Sequence, residues 1–327
     1  MKRSFVLIGM LFVLFSTVGP LSAQESTAPI VSPIDRNPVF QRDSDLGWEA
    51  GYIIPMGLTE FDGKYYLFYV GAEAVTDDAP RGLGMATSDD GITWTRNDGN
   101  PVFAPDGQGG PVAVFHNGVQ WVMLFRVWDG YEASDLLLAT APAPEGPWTV
   151  ADEPALELGG AMDWDYEALI PNSVVQAGDE FRLYYSSNGK IGLATSADGL
   201  VWTKYDNPST TDRMVAASDP VFERNRELGS WDSNYVIHPF VRPTEDGFEM
   251  FYGGSGGSHE QIGYATSTDG ITWARVGDAP VLDDDTLFDM SPLGLVQSGD
   301  DPVLIYVGNS VDEPSDWFLN AASVDAP

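Results

Sequence analysis

Short apolar stretches, each about one strand long, recur along the chain between polar turns. Five are rich in aromatic residues: YYLFYVG at 65–71, WVMLFRV at 121–127, FRLYYSS at 181–187, FEMFYGG at 248–254 and VLIYVGN at 303–309. Each alternates or runs apolar over strand length, the pattern of a buried β-strand rather than a 3.6-residue helical stripe. A second apolar segment follows each one, and three of these nearly coincide: GMATSDDGITWT at 84–95, GLATSADGLVWT at 192–203 and GYATSTDGITWA at 263–274. LLATAPAPEGPWT at 137–149 and LNAASVDAP at 319–327 are weaker copies. The Asp-Gly pair predicts a tight turn, because Gly accepts positive φ and Asp bonds back to the backbone. The Trp that follows is expected to pack between neighbouring units.

A fixed repeat of this length means stacked supersecondary units. Aligning Ala86, Ala139, Ala194, Ala265 and Ala321 gives spacings of 53, 55, 71 and 56, which fits four strands per unit with one enlarged loop. A final short strand is expected at Pro38-Val39-Phe40, Pro101-Val102-Phe103, Pro154-Ala155-Leu156, Pro220-Val221-Phe222 and Pro280-Val281-Leu282. Five inner strands are expected around Pro55, Pro111, Pro171, Pro239 and Pro292. The first short strand precedes every other strand, and the last unit lacks one. The pattern therefore predicts an all-β, five-bladed β-propeller with four-stranded blades, its N-terminal strand completing the last blade and removing a free sheet edge.

Composition agrees: 35 Gly, 23 Pro and 12% aromatic residues suit many short strands and turns. Lys2 and Arg3, the apolar run from Phe5 to Phe15 and the Leu-Ser-Ala ending at Ala23 predict a signal peptide over residues 1–23, hence a secreted protein, extracellular or periplasmic. Residues 24–33 read as a short linker and 34–327 as one domain. With no Cys, disulfides play no part. Acidic residues number 49 against 16 Lys and Arg, for a net charge of −33, which argues against nucleic acid and membrane surfaces as partners. A monomer is expected. The acidity reads first as a solubility surface. No cofactor is required, although Asp283-Asp284-Asp285 makes Ca²⁺ a candidate, since that ion takes oxygen ligands. Neither a nucleotide-binding glycine loop nor a zinc-spaced His/Cys set is present.

The stretches NPVFQRDSDLGWEAGYIIP (37–55) and FDGKYYLFYVG (61–71), with the repeat above, resemble the five-bladed propeller superfamily of glycoside hydrolases, including families 32, 43, 62, 68 and 130. The resemblance is strongest to family 130 and its uncharacterised relatives, and it covers the chain after residue 23. It implies a carbohydrate partner and catalytic carboxylates near the starts of inner strands, often as Asp before Pro. Here the residues before the inner prolines are Ile54, Gly110, Ile170, His238 and Ser291. Where family 130 has Glu-Asp-Pro-Arg, this chain has Gly109-Gly110-Pro111-Val112, so no catalytic residue transfers from that motif.

Candidate site residues are instead those that break the repeat, because one axial site cannot be fivefold. Trp48-Glu49, Trp164-Asp165 and Trp231-Asp232 recur, with Phe288-Asp289 as a shortened fourth copy, and read as structural turns. Glu167 has no acidic counterpart in the other units. Glycoside hydrolysis needs two carboxyl groups, so Glu167 is the candidate acid, with Asp289 or Asp163 as base or nucleophile and Glu49 as a further possible partner. Tyr52, Asn234, Tyr235 and His238 precede inner prolines and are candidates for substrate binding. Arg126 interrupts an apolar strand and needs a partner, such as Glu167; Trp128 follows it at the rim. Two functions fit: a glycoside hydrolase acting on poly- or oligosaccharide, and a propeller that binds carbohydrate or a surface partner without catalysis. The Ser-x-Asp-Gly-x-x-Trp turns also resemble the sialidase Asp-box, but five units argue against that six-bladed fold.

Overall fold

A computed structural model describes residues 27–325, apart from 77–78, 105–109, 111, 127–133, 216, 258, 300 and 314. The expected signal peptide and Trp128 lie outside the described residues. Five antiparallel sheets follow one another along the chain. Blade 1 comprises Tyr52–Phe61, Lys64–Ala72, Arg81–Ser88 and Thr95–Arg96. Blade 2 comprises Val112–His116, Trp121–Phe125, Leu137–Ala141 and Thr149–Val150. Blade 3 runs through Ile170–Ala177, Glu180–Ser187, Lys190–Ser196 and Thr203–Lys204. Blade 4 runs through Tyr235–Thr244, Gly247–Ser255, Gln261–Ser267 and Ala274–Arg275. Blade 5 has Leu287–Ser298, Asp301–Ser310 and Trp317–Asp325. The inner strands touch in cyclic order, blade 5 against blade 1, which closes the propeller around an axis. Among the described residues no helix is long and apolar enough to cross a membrane.

The repeat has a packing cause. At the centre of each second strand, Leu67, Met123, Leu183, Met250 and Leu304 are 0% exposed. They face Ala86, Ala139, Ala194, Ala265 and Ala322 across the sheet. Burying each large side chain contributes about 1.5–3 kcal/mol, and only a small partner fits opposite it. The Ser-x-Asp-Gly turns also repeat atom for atom. Ser88 Oγ accepts from the Gly91 N–H (2.8 Å) and Asp90 Oδ1 from the Ile92 and Thr93 N–H groups (2.9 and 2.6 Å). Ser196 with Asp198 and Ser267 with Asp269 do the same.

The recurring Trp-acid pairs build a clasp within their blades. Trp164 stacks on Tyr185 and Trp231 on Tyr252, at 5.8 and 5.7 Å between centroids. The acid beside each Trp is 0% exposed and meets that Tyr and a base from the fourth strand. Tyr69 donates to Glu49 (2.8 Å), which pairs with Arg96 (2.7 Å). Asp165 pairs with Lys204 (2.6 Å), and Asp232 with Arg275 (2.7 Å). The structural reading of these acids holds; their main partners are side chains from distant strands, and Glu49 also accepts from the Asp43 N–H of its own turn. Glu49 is thereby withdrawn from the candidate acids. Phe288 is 46% exposed, so Phe288-Asp289 is no fourth copy of the clasp.

Three further expectations are corrected. The fifth aligned alanine is Ala322, not Ala321, since Leu304 faces it and Pro33 pairs with it as Arg96 pairs with Ala86. The fourth strand of blades 1–4 is a two-residue strand after the Trp; the Pro-Val-Phe segments add a further short pairing onto the third strand, as Phe103 does on Leu83 and Phe222 on Ile191. Both pieces of blade 5 come from the N-terminus: Phe40–Gln41 supplies the Pro-Val-Phe pairing, while Ile30–Pro33, inside the stretch read as linker, is the fourth strand. The domain thus includes Ile30.

Candidate functional site

The inner prolines shape the mouth of the axis. Pro has no N–H for the ladder, and the register shifts beside Pro55, Pro171, Pro239 and Pro292. Such bulges bend a strand and re-aim its side chains. They open an axial cavity of about 250 Å³ between blades 1, 3, 4 and 5, walled mainly by Ile54, Met56, Pro171, Pro292 and Trp317. Its polar groups are Asn172, His238 and Ser291; no described Asp or Glu lines it. Beside it, a groove of about 480 Å³ separates blades 3 and 4, with Glu167, Asn234 and Tyr235 on its walls.

A buried polar network lies behind these two openings, centred on Glu260, a residue not singled out by the sequence pattern. Glu260 is 5% exposed. Tyr235 OH donates to its Oε1 (3.1 Å), and the Met290 N–H and Ser291 Oγ donate to its Oε2 (both 3.3 Å). Its own N–H donates to the Phe288 carbonyl (3.0 Å), so the carboxyl is held against the segment carrying Asp289. Burial first, and then the Asp289 charge, push the Glu260 pKa up to about 7. Burial also raises the Asp289 pKa, while Asn309 Nδ2 donates to Asp289 Oδ2 (3.0 Å) and opposes the rise.

Ser291 Oγ links this pair to the axial cavity, lying 2.7 Å from His238 Nδ1. His238 is half-buried in the cavity wall, and desolvation lowers its pKa to about 4, so the ring is neutral near pH 7. Its backbone occupies the left-handed region (φ 49°), uncommon for a residue with a side chain. The conformation is tied down by the His238 N–H, which donates to Ser186 Oγ (2.8 Å), and by Ser186 Oγ, which donates to Asn172 Oδ1 (2.7 Å).

The structure thus brings Tyr235, Asn234, His238, Asp289 and Glu167 to one side of the mouth. Glu167 is exposed and accepts from Tyr166 OH (2.8 Å). Arg126 is buried and donates from Nε to Ser134 Oγ (2.8 Å); Ser134 bridges to Ala168, which sets Arg126 beside the Glu167 segment. Tyr52 is buried at the start of blade 1, where Arg81 Nε donates to its hydroxyl (2.6 Å). Arg81 and Glu260 occupy the same register in blades 1 and 4, so a tyrosine with a basic partner in one blade has an acidic partner in the other. Asp163 lies elsewhere, in an outer groove of blade 3 that shares no residue with the Glu167 groove.

The Glu260 position was legible in principle, since it is Arg81, Ser134, Gly189, Glu260 and Trp317 in the five copies and so breaks the repeat. Among the described residues, no three His, Cys, Asp or Glu side chains converge as a metal site. In the Asp283-Asp284-Asp285 run, Asp283 meets His259 Nε2 (2.8 Å) and Asp284 accepts from Thr286 (2.6 Å).

No family model matches the chain. An uncharacterised protein of Mycobacterium tuberculosis is 25% identical over 238 residues, 68% of this chain and 71% of that protein. Among solved structures, one reported for the GH130 family of mannoside phosphorylases and its hydrolases targeting β-1,2 mannosidic linkages superposes with TM-score 0.69 at 18% identity, covering 93% of this chain and 96% of the other. A glycosyl hydrolase from Bacteroides ovatus gives 0.68 at 18%, covering 92% and 98%. A family 117 glycoside hydrolase of the marine bacterium Zobellia galactanivorans gives 0.60 at 16%, covering 91% of each chain. At these identities the likeness establishes the five-bladed fold common to these proteins, in agreement with the sequence resemblance.

Proposed function

We propose that this propeller is an exported carbohydrate-active protein that hydrolyses glycosidic bonds at the mouth shared by blades 3, 4 and 5. The observation that carries the proposal is the unequal acid pair. Glycoside hydrolysis asks one carboxyl to be protonated near neutral pH and a second to be ionised. Glu260, at about 7, suits the first role. Asp289 suits the second, since its negative charge adds to the burial that raises Glu260. Glu260 is too buried to touch a sugar directly, so its proton would leave by relay: the Ser291 hydroxyl toward the axial cavity, or the Tyr235 hydroxyl toward the groove, turns to accept it and passes its own proton to the leaving oxygen. A glycan chain in the groove would meet Tyr235, Asn234 and the exposed carboxylate of Glu167. The general-acid role that the repeat suggested for Glu167 therefore falls better to Glu260.

A second reading is carbohydrate binding without catalysis. The apolar lining of the axial cavity, free of Asp and Glu among the described residues, favours it. A glycan hydrolysis screen with the wild type, Glu260→Gln and Asp289→Asn separates the two. Catalysis at this pair predicts cleavage by the wild type and a loss of about 10²–10⁴-fold in each variant. Full activity in Glu260→Gln removes the acid assignment, and glycan binding by an inert wild type selects the second reading.

A further inference from the structure

The axial cavity is chemically unlike the groove beside it. The groove presents Glu167, Asn188 and Asn234. The cavity is walled by the half-buried Ile54, Met56 and Trp317 with Pro171, Pro292 and Val307, and among the described residues no Asp, Glu, Lys or Arg lines it. Trp317 stands at the register position filled by Arg81, Ser134, Gly189 and Glu260 in the other blades, so blade 5 places a ring where the others do not. The polar groups of the cavity are largely engaged. Asn172 Oδ1 accepts from Ser186 Oγ (2.7 Å), and Ser291 Oγ is shared between Glu260 Oε2 (3.3 Å) and His238 Nδ1 (2.7 Å). When Glu260 is ionised, Ser291 donates to it, and Nδ1 carries the proton that Ser291 accepts. The Nε2 of a neutral imidazole is then an acceptor. With Nδ1 taken, Nε2 is the ring nitrogen left for a ligand in the cavity.

We propose that the axial cavity binds a neutral phenolic ring, carried as an aryl substituent by the glycan that lies in the groove. The glycan clause rests on the carbohydrate reading above; the ring site does not, and neither depends on cleavage. A cavity of about 150 Å³ holds one benzene ring, so about 250 Å³ takes a ring with a short substituent. A pyranose carries a hydroxyl on nearly every carbon, and the cavity has partners for few of them. Each hydroxyl buried there unpaired weakens binding by about tenfold or more, which directs the sugar to the groove and an apolar group to the axis. A planar aromatic group suits the walls best, because it can pack its face or edge against Trp317 and gains more than area burial alone supplies. Its hydroxyl donates to His238 Nε2, the single acceptor that fixes its orientation in an otherwise apolar site. Ile170 lines both openings, so the ring and the sugar lie close enough to belong to one molecule.

Fluorine NMR titrations at about pH 8, above the Glu260 pKa, test the site with 4-fluorophenol and with 4-fluorotoluene, which has a methyl in place of the hydroxyl. The wild type is expected to bind 4-fluorophenol at least about tenfold more tightly than 4-fluorotoluene, the worth of one buried hydrogen bond made rather than left unmade. His238→Asn keeps an oxygen where Nδ1 meets Ser291, tolerates the left-handed backbone and removes Nε2; the preference for the phenol is expected to vanish. Ile54→Trp fills the cavity and is expected to weaken both rings by about tenfold or more. Across a panel of sugars, a 4-hydroxyphenyl glycoside is expected to displace 4-fluorophenol where the matching methyl glycoside does not. No binding of 4-fluorophenol by the wild type, a preference that survives in His238→Asn, or unchanged affinity in a folded Ile54→Trp overturns the ring site. Displacement by methyl glycosides as readily as by hydroxyphenyl ones also overturns it and assigns the cavity to a sugar. Binding of the free phenol with no displacement by any hydroxyphenyl glycoside overturns the glycan clause alone and counts against the carbohydrate reading.

Discussion

Replacing Glu260 by Gln should make the protein progressively more stable than the wild type as the pH rises from 4.5 to about 7. Gln keeps the shape and the neutral charge of a protonated Glu. Its carbonyl can accept from the Met290 N–H and Ser291, and its amide can donate to Tyr235 once that hydroxyl turns to accept. In the folded wild type the Glu260 pKa rises from 4.5 to about 7, chiefly through burial. The folded state therefore holds this proton more tightly than the unfolded chain. Its stabilising effect is complete below pH 4.5 and is lost as the pH climbs through 7. That rise corresponds to about 3 kcal/mol, and 5% exposure leaves little solvent screening to reduce it. Urea unfolding of both proteins at intervals from pH 4 to 8 isolates the effect, since the titrations of groups not coupled to Glu260 cancel in the difference. The stability of Glu260→Gln relative to wild type should increase by roughly 3 kcal/mol between pH 4 and pH 8, with its midpoint between the two pKa values. A difference that stays flat across this range, or that moves against Glu260→Gln as the pH rises, would refute the account of Glu260 as a carboxyl held neutral by burial. Stability gained by removing the group proposed to transfer the proton would also be a trade of activity for stability.

Two further predictions concern the clasp. Arg275→Met strands the fully buried Asp232 carboxylate, and denaturant melts should show a loss of about 3–5 kcal/mol; restoring charge balance with Asp232→Asn in the same chain should recover part of it. Gly192→Ala puts a methyl 2.4 Å from Tyr185 Cζ and 2.7 Å from Trp164 Cη2, and thermal unfolding should report overpacking of about 1–3 kcal/mol or more, with a loss of near-ultraviolet circular dichroism from the stacked rings.

Local pattern alone determined the five units, the three longer strands of each and a circular closure through the N-terminus. Each Ser-x-Asp-Gly turn is built from residues within three positions of one another, and each Leu or Met facing an Ala repeats because every blade packs against the next in the same way. The glycine two places before the aligned alanine belongs to the same logic, as Gly84, Gly192 and Gly263 each lie under a Tyr ring and a Trp ring. The one-residue shift to Ala322 escaped because LNAAS offers two adjacent alanines, and only the sheet register distinguishes them. The role of Ile30–Pro33 escaped because a short edge strand carries too few residues to show a period.

Tertiary structure decided the site. Glu260 acquires its chemistry from Tyr235 and Ser291, 25 and 31 positions away, and from an Asp289 charge that is close only because the segment before the third strand of blade 4 meets the inner strand of blade 5. Burial and charge proximity are properties of the closed ring, and neither is written at any single position of the chain. Sequence repetition identified which residues build the blades; the break in that repetition at 260 gained meaning once the fold showed that it leaves a carboxyl buried and protonated.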